Sequence, residues 1–122
     1  MKTPKISVEQ FYVENASSLG LHLLAGADGL KRIIKEPTVN RPGLALAGFT
    51  KYFANKRIQT IGSAEATYLK SLTKEERQER FEQVCRCKIP GVVFSRNLRP
   101  DKEFLALADK LSIPVFRSPL IC

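Results

Sequence analysis

Tryptophan is absent from these 122 residues, methionine and histidine occur once each, and cysteine only three times. A lone histidine, His22, rules out a histidine relay and any metal site that needs two imidazoles. Three cysteines cannot form a paired disulfide framework. Cys85 and Cys87 stand as C-x-C and Cys122 is the last residue, so zinc would lack its usual ligand set. The plainer expectation is that Cys85 packs from the end of a helix and Cys87 sits in the loop before a strand. No apolar stretch nears the roughly 18 residues of a membrane span, since Leu19 to Ala27 and Ile89 to Phe94 are short or broken by glycine. MKTPKISVEQ has no apolar segment behind its lysines, so a cytoplasmic protein with no membrane partner is expected. Acid is scarce too: 12 Asp and Glu face 20 Lys and Arg, a formal +8 that excludes an acidic disordered tail. The 43% of hydrophobic positions suffice for one core.

Ser7 and Gln10 have capping-box spacing, and Val8, Phe11, Tyr12 and Leu19 follow at helical intervals, so a short helix is expected up to Gly20. Leu21 to Ala25 reads as a buried strand, Gly26 and Gly29 as a turn, and residues 30–36 as a partly exposed strand. Pro42 is placed to start a short helix over Leu44 to Gly48, ahead of Phe49, Tyr52 and Phe53. Beyond it the pattern predicts an extended Arg57 to Ile61, a Ser63-led helix carrying Ala66, Leu69 and Leu72, and a helix capped by Thr73 and Glu76 that buries Phe81 and Val84. Gly91 to Ser95 has the composition of a buried strand. Pro100 with Asp101 and Glu103 marks a helix start whose stripe is Leu105, Leu107, Ala108 and Leu111. A last strand surrounds Pro114. The fold class expected is α/β: a single domain with a mainly parallel sheet flanked by helices, its second half reading strand, helix, strand, helix, strand. The chain stops soon after Pro119 with no terminal helix, as if a further domain followed.

Little of this pattern carries chemistry. Gly43 to Thr50, GLALAGFT, has the outer glycines and final threonine of G-x-x-x-x-G-K-[ST], but Phe49 stands where the lysine belongs. His22 inside an apolar run is expected to be packed and hydrogen-bonded. The basic residues of the helix from Lys70 to Arg86 alternate with Glu75, Glu76, Glu79 and Glu82, which makes a solvated face and speaks against specific nucleic-acid binding. Arg96 and Arg99 in SRNLRP are denser, and Arg117 ends the next strand. Ligands of parallel α/β sheets tend to sit beyond the carboxyl ends of strands, so Arg96, Arg99 and Arg117 are a candidate anion site, although a loop of exposed, solvated charges is the plainer expectation.

Asn40-Arg41-Pro42-Gly43-Leu44, continued by Ala47-Gly48-Phe49, resembles the N-terminal domain of HPr kinase/phosphorylase. The resemblance runs on through Leu24-Ala25-Gly26, Gly29-Leu30, Arg32, Arg57-Ile58-Gln59 with Gly62, Glu65, Tyr68-Leu69, Lys74-Glu75-Glu76-Arg77, Ala108 and Ile113-Pro114-Val115. It implies a regulatory or assembly domain of a bacterial enzyme that phosphorylates a serine of HPr with ATP or pyrophosphate, removes that phosphate by phosphorolysis, and so controls carbohydrate use. ATP and magnesium would then belong to a C-terminal domain beyond Cys122, and no cofactor or catalytic residue falls in this chain. The implied partners are that kinase domain, HPr, and further copies in a hexamer. Asn40 and Arg41 are the residues the resemblance singles out, although a turn cap and an ion pair would also account for them. The alternative is a free-standing ligand-sensing or protein-interaction α/β domain.

Overall fold

The computed structural model describes residues 6–35 and 56–120. β1 (Ile6–Ser7) leads directly into α1 (Val8–Leu19), because Ser7 Oγ accepts the Gln10 backbone N–H at 3.1 Å and starts the helix. Only half of the capping box forms, since the Gln10 side chain donates to Glu14 instead of reaching back. Gly20 ends α1 at φ 62°, the left-handed C-cap that glycine adopts without steric cost.

Four strands form the main sheet in the order β2-β6-β5-β4, with β2 (His22–Ala25), β4 (Gln59–Ile61), β5 (Val92–Phe94) and β6 (Val115–Arg117). β4, β5 and β6 run parallel, joined by α2 (Ser63–Lys70) and α3 (Lys74–Cys85) and then by α4 (Lys102–Leu111). The expected strand-helix-strand-helix-strand half is present, with its first helical leg divided in two. Against it, β2 lies antiparallel to β6, with a register shift between Leu23 and Ala25. The chain is an α/β domain with a mostly parallel sheet.

Burial on the sheet alternates as a two-residue period requires. Val92, Phe94 and Val115 face Phe81, Val84, Phe104 and Ala108 of α3 and α4, while Val93 and Phe116 face Val8 of α1. Phe11 and Tyr12 lie against Phe116 with ring centroids 6.4 and 5.1 Å away.

Some expectations need correction. Leu21 to Ala25 is not a fully buried strand: Leu21 precedes β2, Leu23 and Leu24 are half-buried, and His22 is exposed on the sheet's outer strand. Of the expected strand over residues 30–36, the described residues 30–35 form only β3 (Ile33–Ile34), paired with β1, because a 3₁₀ turn over Ala27–Gly29 and its Leu30 cap occupy the preceding residues. Pro100 is outside α4, whose N-cap is Asp101, and the inward stripe of the helix includes Phe104 as well as Ala108. Leu72 falls beyond the end of α2. The Pro42-led helix, the Gly43 to Thr50 segment, Phe49, Tyr52, Phe53 and Cys122 lie outside the described residues. Cys85 and Cys87 are placed as expected. Burial pushes the Cys85 thiol up to about 12, which leaves it an unreactive core side chain.

Candidate functional site

The parallel strands β5 and β6 end together, and the chain beyond them is tied crosswise. After Phe94, Ser95 to Leu98 forms a turn closed by the Leu98 N–H on the Ser95 carbonyl at 3.0 Å. Its two central residues, Arg96 and Asn97, have φ of 55° and 56°. Asparagine tolerates that region, but arginine rarely occupies it. The strained backbone directs both amides onto the chain after β6: Arg96 N–H donates to Leu120 O and Asn97 N–H to Ser118 O, each at 2.9 Å. Ser118 N–H returns a bond to Phe94 O at 2.8 Å, and its hydroxyl donates to Leu19 O.

This lacing places Arg96 close along the backbone to the end of β6, where Arg117 pairs in register with Phe94 and, on its other side, with His22. Arg96 is exposed, and the Arg117 Nε is sealed from water with no hydrogen-bond partner. Arg99 points elsewhere, into a cleft of about 100 Å³ between α2, α3 and α4 whose lining includes neither Arg96 nor Arg117. Asn40 and Arg41 lie outside the described residues.

The cleft is what sequence reasoning missed. Its floor is apolar, made by Leu69, Phe81, Phe94, Phe104 and Leu107. Phe94 meets Phe81 and Phe104 edge to face, with centroids 6.4 and 5.1 Å apart. Its rim carries Lys70, Arg77, Arg99 and Asp101. Three cations therefore face one carboxylate, and that carboxylate is engaged by Arg77. Neither Lys70 nor Arg99 has an ion-pair partner among the described residues. The available signals were Phe104 four residues before Ala108 and basic residues flanking two helices, but nothing local shows that α2 and α4 stand apart.

Beside the cleft, Lys74 Nζ meets Glu103 Oε1 at 2.6 Å and joins the first turns of α3 and α4. The hydrogen bond and charge of Lys74 hold Glu103 below its ordinary 4.5, and the same pair raises Lys74 above 10.5. Glu76 is also lowered, first by its bond from the Thr73 backbone N–H. Lowered carboxylates contribute stability above their unfolded value and lose it as pH falls through the folded one, whereas Lys74 contributes below 10.5 and loses it as pH rises beyond its raised value. The stability difference between the wild type and Glu103→Gln is therefore expected to be small at about pH 7 and to shrink as pH falls below the ordinary 4.5 of Glu103, the pair being exposed. Urea titrations along that range are the check; a difference that grew on acidification would contradict the assignment.

Among the described residues no three His, Cys, Asp or Glu side chains gather as a metal ion would require. His22 makes no side-chain hydrogen bond there, so no hydroxyl has a neighbouring imidazole base. Fold and cleft define a small three-layer α/β domain with a basic-rimmed apolar recess beside its sheet. Residues 6–121 match the family described as HPr Serine kinase N terminus, and the chain belongs to that family. It is 42% identical over 98 residues to HPr kinase/phosphorylase of Shouchella clausii, covering 80% of this chain and 32% of that protein. Its identity to the namesake of Chloroherpeton thalassium is 38% over 120 residues, covering 97% and 35%, and to that of Listeria monocytogenes serotype 4a 40% over 102 residues, covering 84% and 33%. The chain thus spans about a third of the length of these relatives. In fold it is similar to a solved structure of the CBS and DRTGG domains of the regulatory region of Clostridium perfringens pyrophosphatase, complexed with diadenosine tetraphosphate. The TM-score is 0.59 at 15% identity, over 87% of this chain and 40% of that one.

Proposed function

We propose that this chain is the regulatory and assembly domain of a two-domain HPr serine kinase/phosphorylase, a cytoplasmic regulator of carbohydrate use, with catalysis carried by a separate C-terminal domain. The family match over residues 6–121, in relatives about three times longer, carries the reading. No helix among the described residues is long and apolar enough to cross a membrane. ATP and magnesium are assigned to the further domain: the phosphate-loop likeness at Gly43 to Thr50 lacks its lysine, and no phosphoryl-transfer step is derived for residues of this chain. HPr and a hexameric assembly are the partners of that larger protein. Arg96, Arg99 and Arg117, with Asn40 and Arg41, are the residues proposed to meet an anion or a neighbouring domain.

Calorimetric titration of the 122-residue chain with Mg-ATP tests the division of labour. Negligible binding is expected. A micromolar dissociation constant, about 8 kcal/mol of affinity, would show a phosphate site here and overturn it. A second reading, a free-standing ligand-sensing domain, draws on the recess beneath Arg99. A coding sequence continuing past Cys122 into G-x-x-x-x-G-K-[ST] would decide for the kinase, and one ending there for the second.

A further inference from the structure

We propose that the cleft between α2, α3 and α4 is a binding site for a small organic anion bearing one ring-sized apolar group. The inference concerns this domain alone and does not depend on the kinase reading.

The volume sets the size of the apolar part. A dry cavity of about 150 Å³ encloses a benzene ring, so a recess of about 100 Å³ open at its mouth accepts one ring with its edge toward solvent. The floor suits such a group, because Phe94 presents its ring edge to face with Phe81 and with Phe104, and Leu69 and Leu107 also line the recess.

The rim sets the charge. Arg77 is neutralised by Asp101, but Lys70 and Arg99 stand exposed at the mouth with no ion-pair partner among the described residues. The Asp101 carboxylate, which as N-cap of α4 could accept a first-turn amide, makes no such bond and turns to Arg77. The Arg77 Nε is also sealed without a hydrogen-bond partner. The place agrees with the topology: Arg99 follows the carboxyl end of β5, just beyond the strained Arg96-Asn97 turn, and strain of that kind clusters at ligand sites. A carboxylate or phosphate on the ring supplies the missing charge, and Arg99 can engage it bidentately.

Phenyl phosphate is the probe, titrated into the 122-residue chain and followed by amide chemical shifts. Saturable binding is expected, with the largest shifts at Leu69, Lys70, Arg99 and Leu107. Benzyl alcohol and inorganic phosphate, which carry the ring and the charge separately, should each bind about tenfold more weakly or worse. Lys70→Ala combined with Arg99→Ala should weaken phenyl phosphate about tenfold without moving the melting temperature, since both side chains are exposed, and Arg99→Lys should restore part of the loss. The proposal is overturned if inorganic phosphate binds as well as its phenyl ester, if the shifts spread over the basic surface, or if the double variant keeps its affinity. Preferential binding of an acidic peptide with one phenylalanine would overturn it in favour of a protein-docking surface.

Discussion

Gly29→Ala is expected to destabilise the domain by about 3 kcal/mol or more, a large part of the 5–15 kcal/mol that holds a typical domain folded. A Cβ built at Gly29 would stand 1.9 Å from the Ser112 carbonyl oxygen and 2.7 Å from Pro114 Cδ. One at Gly26 would stand 1.9 Å from Ile113 O. The 3₁₀ turn therefore docks backbone to backbone on the junction between α4 and β6, and no side-chain rotation can make room. Gly26 adds a second constraint, a φ of 75° that costs an L-residue about 1–2 kcal/mol, so Gly26→Ala should be at least as damaging. The Gly26 N–H is already committed to Asp109 Oδ1 at 2.7 Å, so the turn cannot slide away. Urea unfolding of both variants, beside Ala27→Gly on the exposed side of the same turn, measures this. The control should lose no more than about 1 kcal/mol. A Gly29→Ala protein within that margin would show that the close approach is not a feature of the folded protein.

The second large effect belongs to Arg32, whose guanidinium joins three parts of the chain. Its Nε donates to Ser112 O at 2.7 Å, one terminal nitrogen to Leu111 O at 3.0 Å, and the other to Ile89 O at 3.4 Å. Two of these carbonyls are at the C-terminal end of α4, where a cation also meets the negative end of the helix dipole. Arg32→Ala strands all three, and a loss of about 2–3 kcal/mol is expected. Arg32→Lys should recover less than half, because one ammonium cannot span acceptors that a planar fork reaches together. Full recovery by lysine would reduce the role of Arg32 to its charge. Because Arg32 and Gly29 both meet Ser112 O, the double variant should lose less than the sum of the two single losses.

Elements whose cause is local were legible. Thr73 Oγ1 accepts the Glu76 N–H and Glu76 Oε1 accepts the Thr73 N–H, both at 3.1 Å, which is the reciprocal pair that their spacing implies. Glu65, noted only for its family likeness, is buried for the same sort of reason: its carboxylate accepts the Gly62 N–H at 2.7 Å. The candidate site was legible only as residues. SRNLRP stood out for its arginines, but that Arg99 turns toward Lys70 and Arg77 while Arg96 is held in a left-handed turn depends on carbonyls at Ser118 and Leu120.

By itself the sequence determined the helix starts at Ser7 and Thr73, the buried strand in GVVFS, the α/β class and the family, since each rests on contacts within a few residues or on a matching pattern along the chain. Only the tertiary structure decided the reversed direction of β2, the exposure of His22, the seating of Gly26 and Gly29, and the cleft. Arg32 meets Ser112 from 80 residues away and Gly26 meets Asp109 from 83. Alternation and spacing record which face a residue prefers, but the partner on that face is chosen when the sheet and helices pack against one another.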